Sequence, residues 1–155
     1  MMFRVSDIEI RRATEDDIPA IVRMLLEGTV DPSRESPDDL TPYRRAFAEL
    51  AADANQYLMV AERNGQVIGT LQLTVIPGLS RAGSSRGLVE AVRVAEAARG
   101  SGLGTTLMEW AIEESRRRGC RLVQLTSDVQ RADAHRFYDR LGFTASHVGF
   151  KLKLS

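Results

Sequence analysis

A chain of 155 residues that is 43% hydrophobic and 27% charged has the composition of one globular domain with a real core. Its 21 basic residues balance 21 acidic ones, so no broad basic field recruits nucleic acid and no polybasic segment seeks an anionic membrane. The one cysteine, Cys120, excludes an internal disulfide, and neither a signal-peptide core nor an apolar run of roughly 20 residues is present.

The expectation is therefore a soluble, cytoplasmic protein with one domain over residues 1–155. "DIEIRRAT" alternates Ile8 and Ile10 with charged residues, as a strand does. In "TEDDIPAIVRMLLEG", Thr14 is an N-cap with Asp17 three residues on. Ile18, Ile21, Val22, Leu25 and Leu26 keep helical spacing up to Gly28. "TVDPSRESPDDLTP" is polar and proline-broken, hence a loop, and "YRRAFAELAADA" resumes a helix.

"QYLMVAERNGQVIGTLQLTVI" reads as a hairpin closed by a type I′ turn at Asn64-Gly65 and ended by Pro77. After the connection "GLSRAGSSRG" comes a strand, "LVEAVRVAE". A glycine-rich loop then leads into the helix "LGTTLMEWAIEESRRRG". Leu103, Leu107, Trp110 and Ala111 share one face of that helix, three arginines suit its C-terminal end, and Gly119 caps it. "RLVQLTS" reads as a buried strand, "RADAHRFYDRLG" as a helix ending at Gly142, and "FTASHVGFKLKL" as a closing strand. The order β-α-α-β-β-β-α-β-α-β implies an α/β fold. Its hairpin part should be antiparallel and its central β-α-β unit parallel.

The loop "ARGSGLGTTL" lies between that strand and its helix. Unpaired N–H groups and the helix dipole favour an anion there. Gly100, Gly102 and Gly104 clear the approach, Ser101, Thr105 and Thr106 add hydroxyls, and Arg99 adds a positive charge. This is a phosphate or pyrophosphate site. No lysine completes a P-loop, and the spacing fails G-x-G-x-x-G from Gly100 and from Gly102.

Arg-x-x-Gly-x-Gly over Arg99 to Gly104, followed by "DAHRFYDRLGF", resembles the GCN5-related N-acetyltransferase (GNAT) superfamily over nearly the whole chain. The resemblance implies a GNAT-like mixed sheet with flanking helices, and acetyl-CoA as co-substrate. Arg99, Gly100, Ser101, Gly102, Leu103, Gly104 and Thr105 would hold its pyrophosphate. The backbone at Val92 and Val94 would hydrogen-bond the pantetheine arm and offer an oxyanion donor. Tyr138 matches the family tyrosine proposed to protonate the departing thiolate, against a core reading for a helical tyrosine beside Phe137. Glu90 stands where many members carry an acid that deprotonates the amine, against a purely orienting role. Arg131 occupies a CoA-contacting position that is often Asn. "TSDVQRADAHRFYDRLGF" further resembles the aminoalkylphosphonate N-acetyltransferase branch.

The implied reaction is direct transfer of an acetyl group to a primary amine of a small molecule. Protein lysine or N-terminal acetylation is the enzymatic alternative, and a catalytically silent acyl-CoA-binding module the other. His135, His147 and Cys120 read as structural, and no metal-site spacing is present. Acidic Asp31, Glu35, Asp38 and Asp39 would suit a cationic amine and Arg81 and Arg86 a phosphonate or carboxylate, but most of these charges read first as those of ordinary solvated loops, and the acceptor is left open. The partner is a small-molecule amine, with no nucleic acid and no membrane, and family habit allows a homodimer through the last strands.

Overall fold

The computed structural model describes residues 3–5 and 7–155. The chain divides into two compact units, Met1–Gln124 and Leu125–Ser155. The first unit holds a six-stranded sheet in sequential order: β1 (Phe3–Val5), β2 (Ile8–Arg12), β3 (Gln56–Arg63), β4 (Gln66–Ile76), β5 (Arg86–Val94) and β6 (Leu122–Gln124). Neighbours are antiparallel from β1 to β5, and β5 and β6 are parallel, as the reading of a hairpin part and a β-α-β part requires. The helices of this unit are α1 (Ile18–Glu27), α2 (Thr41–Ala52) and α4 (Leu103–Arg117), with a single turn, α3 (Ser80–Gly83), that is left-handed at Arg81 and Ala82 and so not a regular α-helix.

Strand alternation sorts the helices onto the sheet. On β3, Val60 packs with Ile21 and Met24 of α1. The neighbouring parity carries Tyr57, whose ring meets Trp110 of α4 edge-on at 6.0 Å. α1 and α4 therefore cover opposite faces. Met59, Leu71, Leu73, Leu103, Leu107 and Met108 are buried, as is Trp110 on the expected helix face. Asn64 (φ 51) and Gly65 (φ 78) form the left-handed pair of a type I′ turn. At the end of α4, Cys120 N–H donates to Ser115 C=O (2.9 Å) and Gly119 N–H to Arg116 C=O (3.0 Å), a Schellman cap.

Thr14 is the N-cap, with Asp17 closing a capping box as the spacing predicts, but the first turn, Glu15–Asp17, is 3-10 and α1 follows it; Asp17 reaches back to accept from Thr14 N–H (2.7 Å). Asp17 also accepts from both terminal nitrogens of Arg11 (2.8 and 3.0 Å), while Arg11 Nε donates to Glu62 (2.8 Å). The Arg11 pair so raises the guanidinium's already high pKa. Burial pushes the Asp17 carboxyl up, but the Arg11 fork, the Thr14 N–H and the nearby charge outweigh it and hold the group below its ordinary value. A depressed folded pKa gives stability that is complete above the unfolded value and is lost as pH falls through the folded one. Asp17→Asn should cost about 1–3 kcal/mol at neutral pH. It should also flatten the acid limb of the stability curve below about pH 5. Urea titrations of both proteins at several pH values check this. An unchanged acid limb would assign that limb to other carboxylates.

Two expected strands are altered. "RLVQLTS" forms only the three residues of β6, with Leu122 and Val123 half-buried, because this strand lies at the sheet edge with one neighbour. The second unit holds α5 (Ala132–Arg140), and residues 144–155 form no strand. Their alternating pattern is that of a strand, but a strand needs a ladder partner, and none pairs with them among the described residues.

Candidate active site

β5 changes character at its centre. Gln72 pairs with Glu90 but Thr70 pairs with Arg93, so β5 carries one more residue than β4 between those pairs. Ala91 takes a left-handed φ of 53° at this bulge. A non-glycine residue holds that conformation only where its surroundings enforce it, and bulges re-aim the groups beside them. β6 pairs only with Arg86–Leu88, so the edge of β5 beyond Leu88 has no strand partner among the described residues. Ala95 N–H donates to Ile68 C=O (2.8 Å) on the β4 side. By alternation the backbone groups of Val94 and Val92 point away from β4, along the open edge. The Val92 carbonyl accepts from Arg93 Nη1 (2.9 Å).

Glu90 is exposed on this stretch, opposite Gln72. Arg93 was not singled out by sequence, although its side chain runs across Gly28 at the end of α1. A Cβ built at 28 would overlap Arg93 Cδ and Nε. Gly28 itself has φ −96°, so it does not end α1 by a left-handed cap as its type suggests.

After β5, a 3-10 turn at Glu96–Ala98 leads into the glycine loop. Gly100 (φ 80) and Gly102 (φ 81) both need the left-handed region, and the space where a Cβ would stand on either is open, with nothing beyond the flanking residues within 4 Å. Gly102 is the N-cap of α4. Its carbonyl accepts from Thr106 N–H (3.1 Å), the first intrahelical bond; helix geometry leaves the N–H groups of Leu103, Gly104 and Thr105 without intrahelical partners. Ser101 Oγ donates back to Ala98 C=O (2.5 Å) and so fastens the turn. Arg99 is exposed and Leu103 is buried under the helix start. The loop thus offers unpaired donors, a dipole end and a guanidinium to an anion from the open side.

The acids between α1 and α2 hold their own loop. Asp31 accepts from Ser33 Oγ (2.6 Å) and N–H (3.0 Å), and those bonds lower its carboxyl's pKa. Asp39 accepts from Thr41 N–H (3.0 Å) at the start of α2. Tyr43 Oη donates to Glu35 (2.6 Å) and accepts from Ser36 N–H (2.8 Å). Nothing in the spacing announced Tyr43 as this brace. Arg86 is half-buried at the start of β5, whereas Arg81 is exposed on α3 with φ 54°.

Tyr138 and Arg131 belong to the second unit. Arg131 is the N-cap of α5 and lines, with Gln130, Ala132, Asp133 and Ala134, a recess of about 350 Å³. His135 Nε2 donates to Asp128 C=O (2.8 Å), a structural bond at the same helix end. The motif "FYDRLGF" closes α5 by a Schellman cap: Phe143 N–H donates to Tyr138 C=O (3.1 Å) and Gly142 N–H to Asp139 C=O (3.0 Å). The Tyr138 ring meets Phe137 at 5.1 Å and Phe143 at 5.9 Å, both edge-on. Cys120 is half-buried, and burial pushes its thiol up. Among the described residues no cluster of His, Cys, Asp and Glu could hold a metal ion, and no helix is long and apolar enough to cross a membrane.

Residues 20–143 match the acetyltransferase (GNAT) family. The chain is 33% identical over 142 residues to the aminoalkylphosphonate N-acetyltransferase of Salmonella typhimurium, covering 92% of this chain and 88% of that one. It is 28% identical over 155 residues to the glucosamine 6-phosphate N-acetyltransferase of Trypanosoma brucei brucei, covering 99% and 100%. A solved structure from Bacillus halodurans C-125, described as a transcriptional regulator, superposes with a TM-score of 0.91 at 45% identity, covering 95% and 99%. With a matching strand, loop and helix already in place, the chain belongs to the acetyltransferase (GNAT) family and is an acetyl-CoA-dependent N-acyltransferase of that family.

Proposed function

We propose that residues 1–155 work as one cytoplasmic catalytic domain that moves the acetyl group of acetyl-CoA directly to a primary amine of a small molecule bearing a phosphonate or phosphate. The observation that carries the reading is the open edge of β5 at the Ala91 bulge, followed directly by the donor-rich start of α4. The open backbone at Val92 and Val94 would take the amides of the pantetheine arm. The loop from Arg99 to Thr105, with Gly100, Ser101, Gly102, Leu103 and Gly104, would take the pyrophosphate. Arg131 would contact CoA, as its place in the family motif implies.

Glu90 would remove a proton from the incoming amine, either directly or through water. The amine nitrogen then bonds to the thioester carbon, the carbon–sulfur bond breaks, and Tyr138 would supply the proton to the departing sulfur. The phosphonate preference rests on the names of two relatives, one acting on aminoalkylphosphonates and one on glucosamine 6-phosphate. Half-buried Arg86 supplies matching chemistry in this chain.

The test is release of CoA thiol across a panel of amines: aminoalkylphosphonates, amino-sugar phosphates, polyamines, amino acids and lysine peptides. Turnover should be at least about tenfold higher in kcat/KM with the phosphonates or sugar phosphates, an advantage worth about 1.4 kcal/mol. Preference for lysine peptides would replace the acceptor class. Acetyl-CoA binding without turnover of any amine would leave a silent binding module.

A further inference from the structure

Three neutral polar side chains share one face of the central strands. Val60 of β3 packs on α1, so Gln56, at the same parity, lies on that face of the sheet. Thr74 pairs with Gln56 across β3 and β4, and Gln72 pairs with Glu90 across β4 and β5. Thr74 Oγ1 (2.8 Å) and Gln72 Nε2 (3.0 Å) both donate to Gln56 Oε1. These two bonds fill that oxygen and hold the three side chains in one arrangement. All three are half-buried, whereas the opposite face of β4 is apolar and buried at Leu71, Leu73 and Val75. Two residues along the same face, Thr70 is buried and spends its hydroxyl on Met59 C=O (2.8 Å). The Gln72 amide is only half spent. Its carbonyl oxygen and one N–H remain for another partner, and the side chain opposite is Glu90, at a Cβ separation of roughly 5 Å for directly paired residues.

We propose that Gln72 is a specificity-determining residue of the acceptor site, and that it selects amines with a hydroxyl on the carbon next to the one bearing the amino group. The inference rests on Glu90 receiving the acceptor amine, as in the function proposed above. A neutral amide brings no charge to a phosphonate. It offers one acceptor and one donor side by side, and a hydroxyl, which both donates and accepts, matches the pair. In a vicinal amino alcohol two carbons separate nitrogen from oxygen, so the amine can face Glu90 while the hydroxyl faces Gln72. Gln56 and Thr74 already fix the amide, so little rotamer freedom is lost when the acceptor arrives. An amine without the hydroxyl covers the same polar atoms and leaves them unpaired, and a site built to read a hydroxyl rejects such an analogue. Among phosphorylated amines the preference falls on those of amino-sugar type over plain aminoalkylphosphonates.

The test is a matched pair of acceptors, aminoethylphosphonate and its analogue with a hydroxyl on the carbon next to the amine-bearing one, followed by release of CoA thiol. The wild type should use the hydroxylated member at least about tenfold better in kcat/KM. Gln72→Leu keeps the size of the side chain and removes both polar atoms. It should bring the two members within about threefold of each other, by loss on the hydroxylated one, while the plain amine stays within about threefold of its wild-type value. Equal use of both members by the wild type overturns the proposal and leaves the proposed function standing. Equal loss on both members in Gln72→Leu also overturns it and makes Gln72 a structural part of the sheet. Turnover of neither member by the wild type overturns the proposed function and this inference together. The wild-type comparison needs no variant, so it decides the matter even if Gln72→Leu folds poorly.

Discussion

Tyr138→Phe should lower kcat by about 10²–10⁴-fold, the usual worth of a positioned general acid. When an amine attacks a thioester, the sulfur must leave, and it leaves more readily if a proton arrives as its bond to carbon breaks. A phenol can donate that proton, and phenylalanine cannot. The substitution is a clean probe because it removes one oxygen and keeps the ring. That ring rests edge-on against Phe137 and Phe143, and the α5 cap beneath it is made by the Tyr138 carbonyl. The helix end should therefore survive, and KM for acetyl-CoA should change by less than about threefold, or about 0.6 kcal/mol. Steady-state kinetics with the best amine of the panel, beside a melting curve, checks this. Near-normal kcat would leave Tyr138 as a core aromatic whose function is the cap.

Glu90→Gln should cost a comparable factor, about 10²–10⁴-fold at neutral pH, and it should do so in a pH-dependent way. The amide keeps the size of the side chain but cannot take a proton. A primary amine is mostly protonated at neutral pH and becomes a free nucleophile as pH rises. The deficit of the variant should therefore shrink toward high pH, where the amine no longer needs a base. Because Glu90 is exposed and sits just before the bulge, its replacement should leave the melting temperature within a degree or two of the wild type. A deficit that is the same at every pH would make Glu90 an orienting group. No deficit at all would make it a bystander.

The parts of the fold that were legible in the sequence are those with local causes. The hairpin follows from Asn64-Gly65, the α4 cap from Gly119, and the turn into α4 from glycines placed just before an amphipathic helix. The Ala91 bulge was not legible, because alanine carries no signal for a left-handed backbone; it arises from the register of β5 against β4. The Tyr43 brace was hidden for a related reason: Ser36 and Glu35 come within its reach only once α2 has formed beside the loop. The alternation of residues 147–154 gave a strand without giving its partner, since periodicity reports which face wants cover and not what covers it. Among the acids after α1, Asp31, Glu35 and Asp39 hold backbone and side-chain donors of their own loop, in line with the ordinary-loop reading and not with an acceptor rim.

Gly28 and Arg93 are bound together in how this sequence can drift. With φ at −96°, position 28 has a backbone that any residue could adopt. Its restriction comes from a side chain far away in sequence, which occupies the place where a Cβ would stand. The occupant is the outer part of a long, flexible side chain and not backbone, so alanine at 28 asks Arg93 to move and leaves the fold intact. The two positions are therefore coupled through one side chain's path: a residue at 28 larger than glycine re-aims Arg93, and a shorter residue at 93 frees the place at 28.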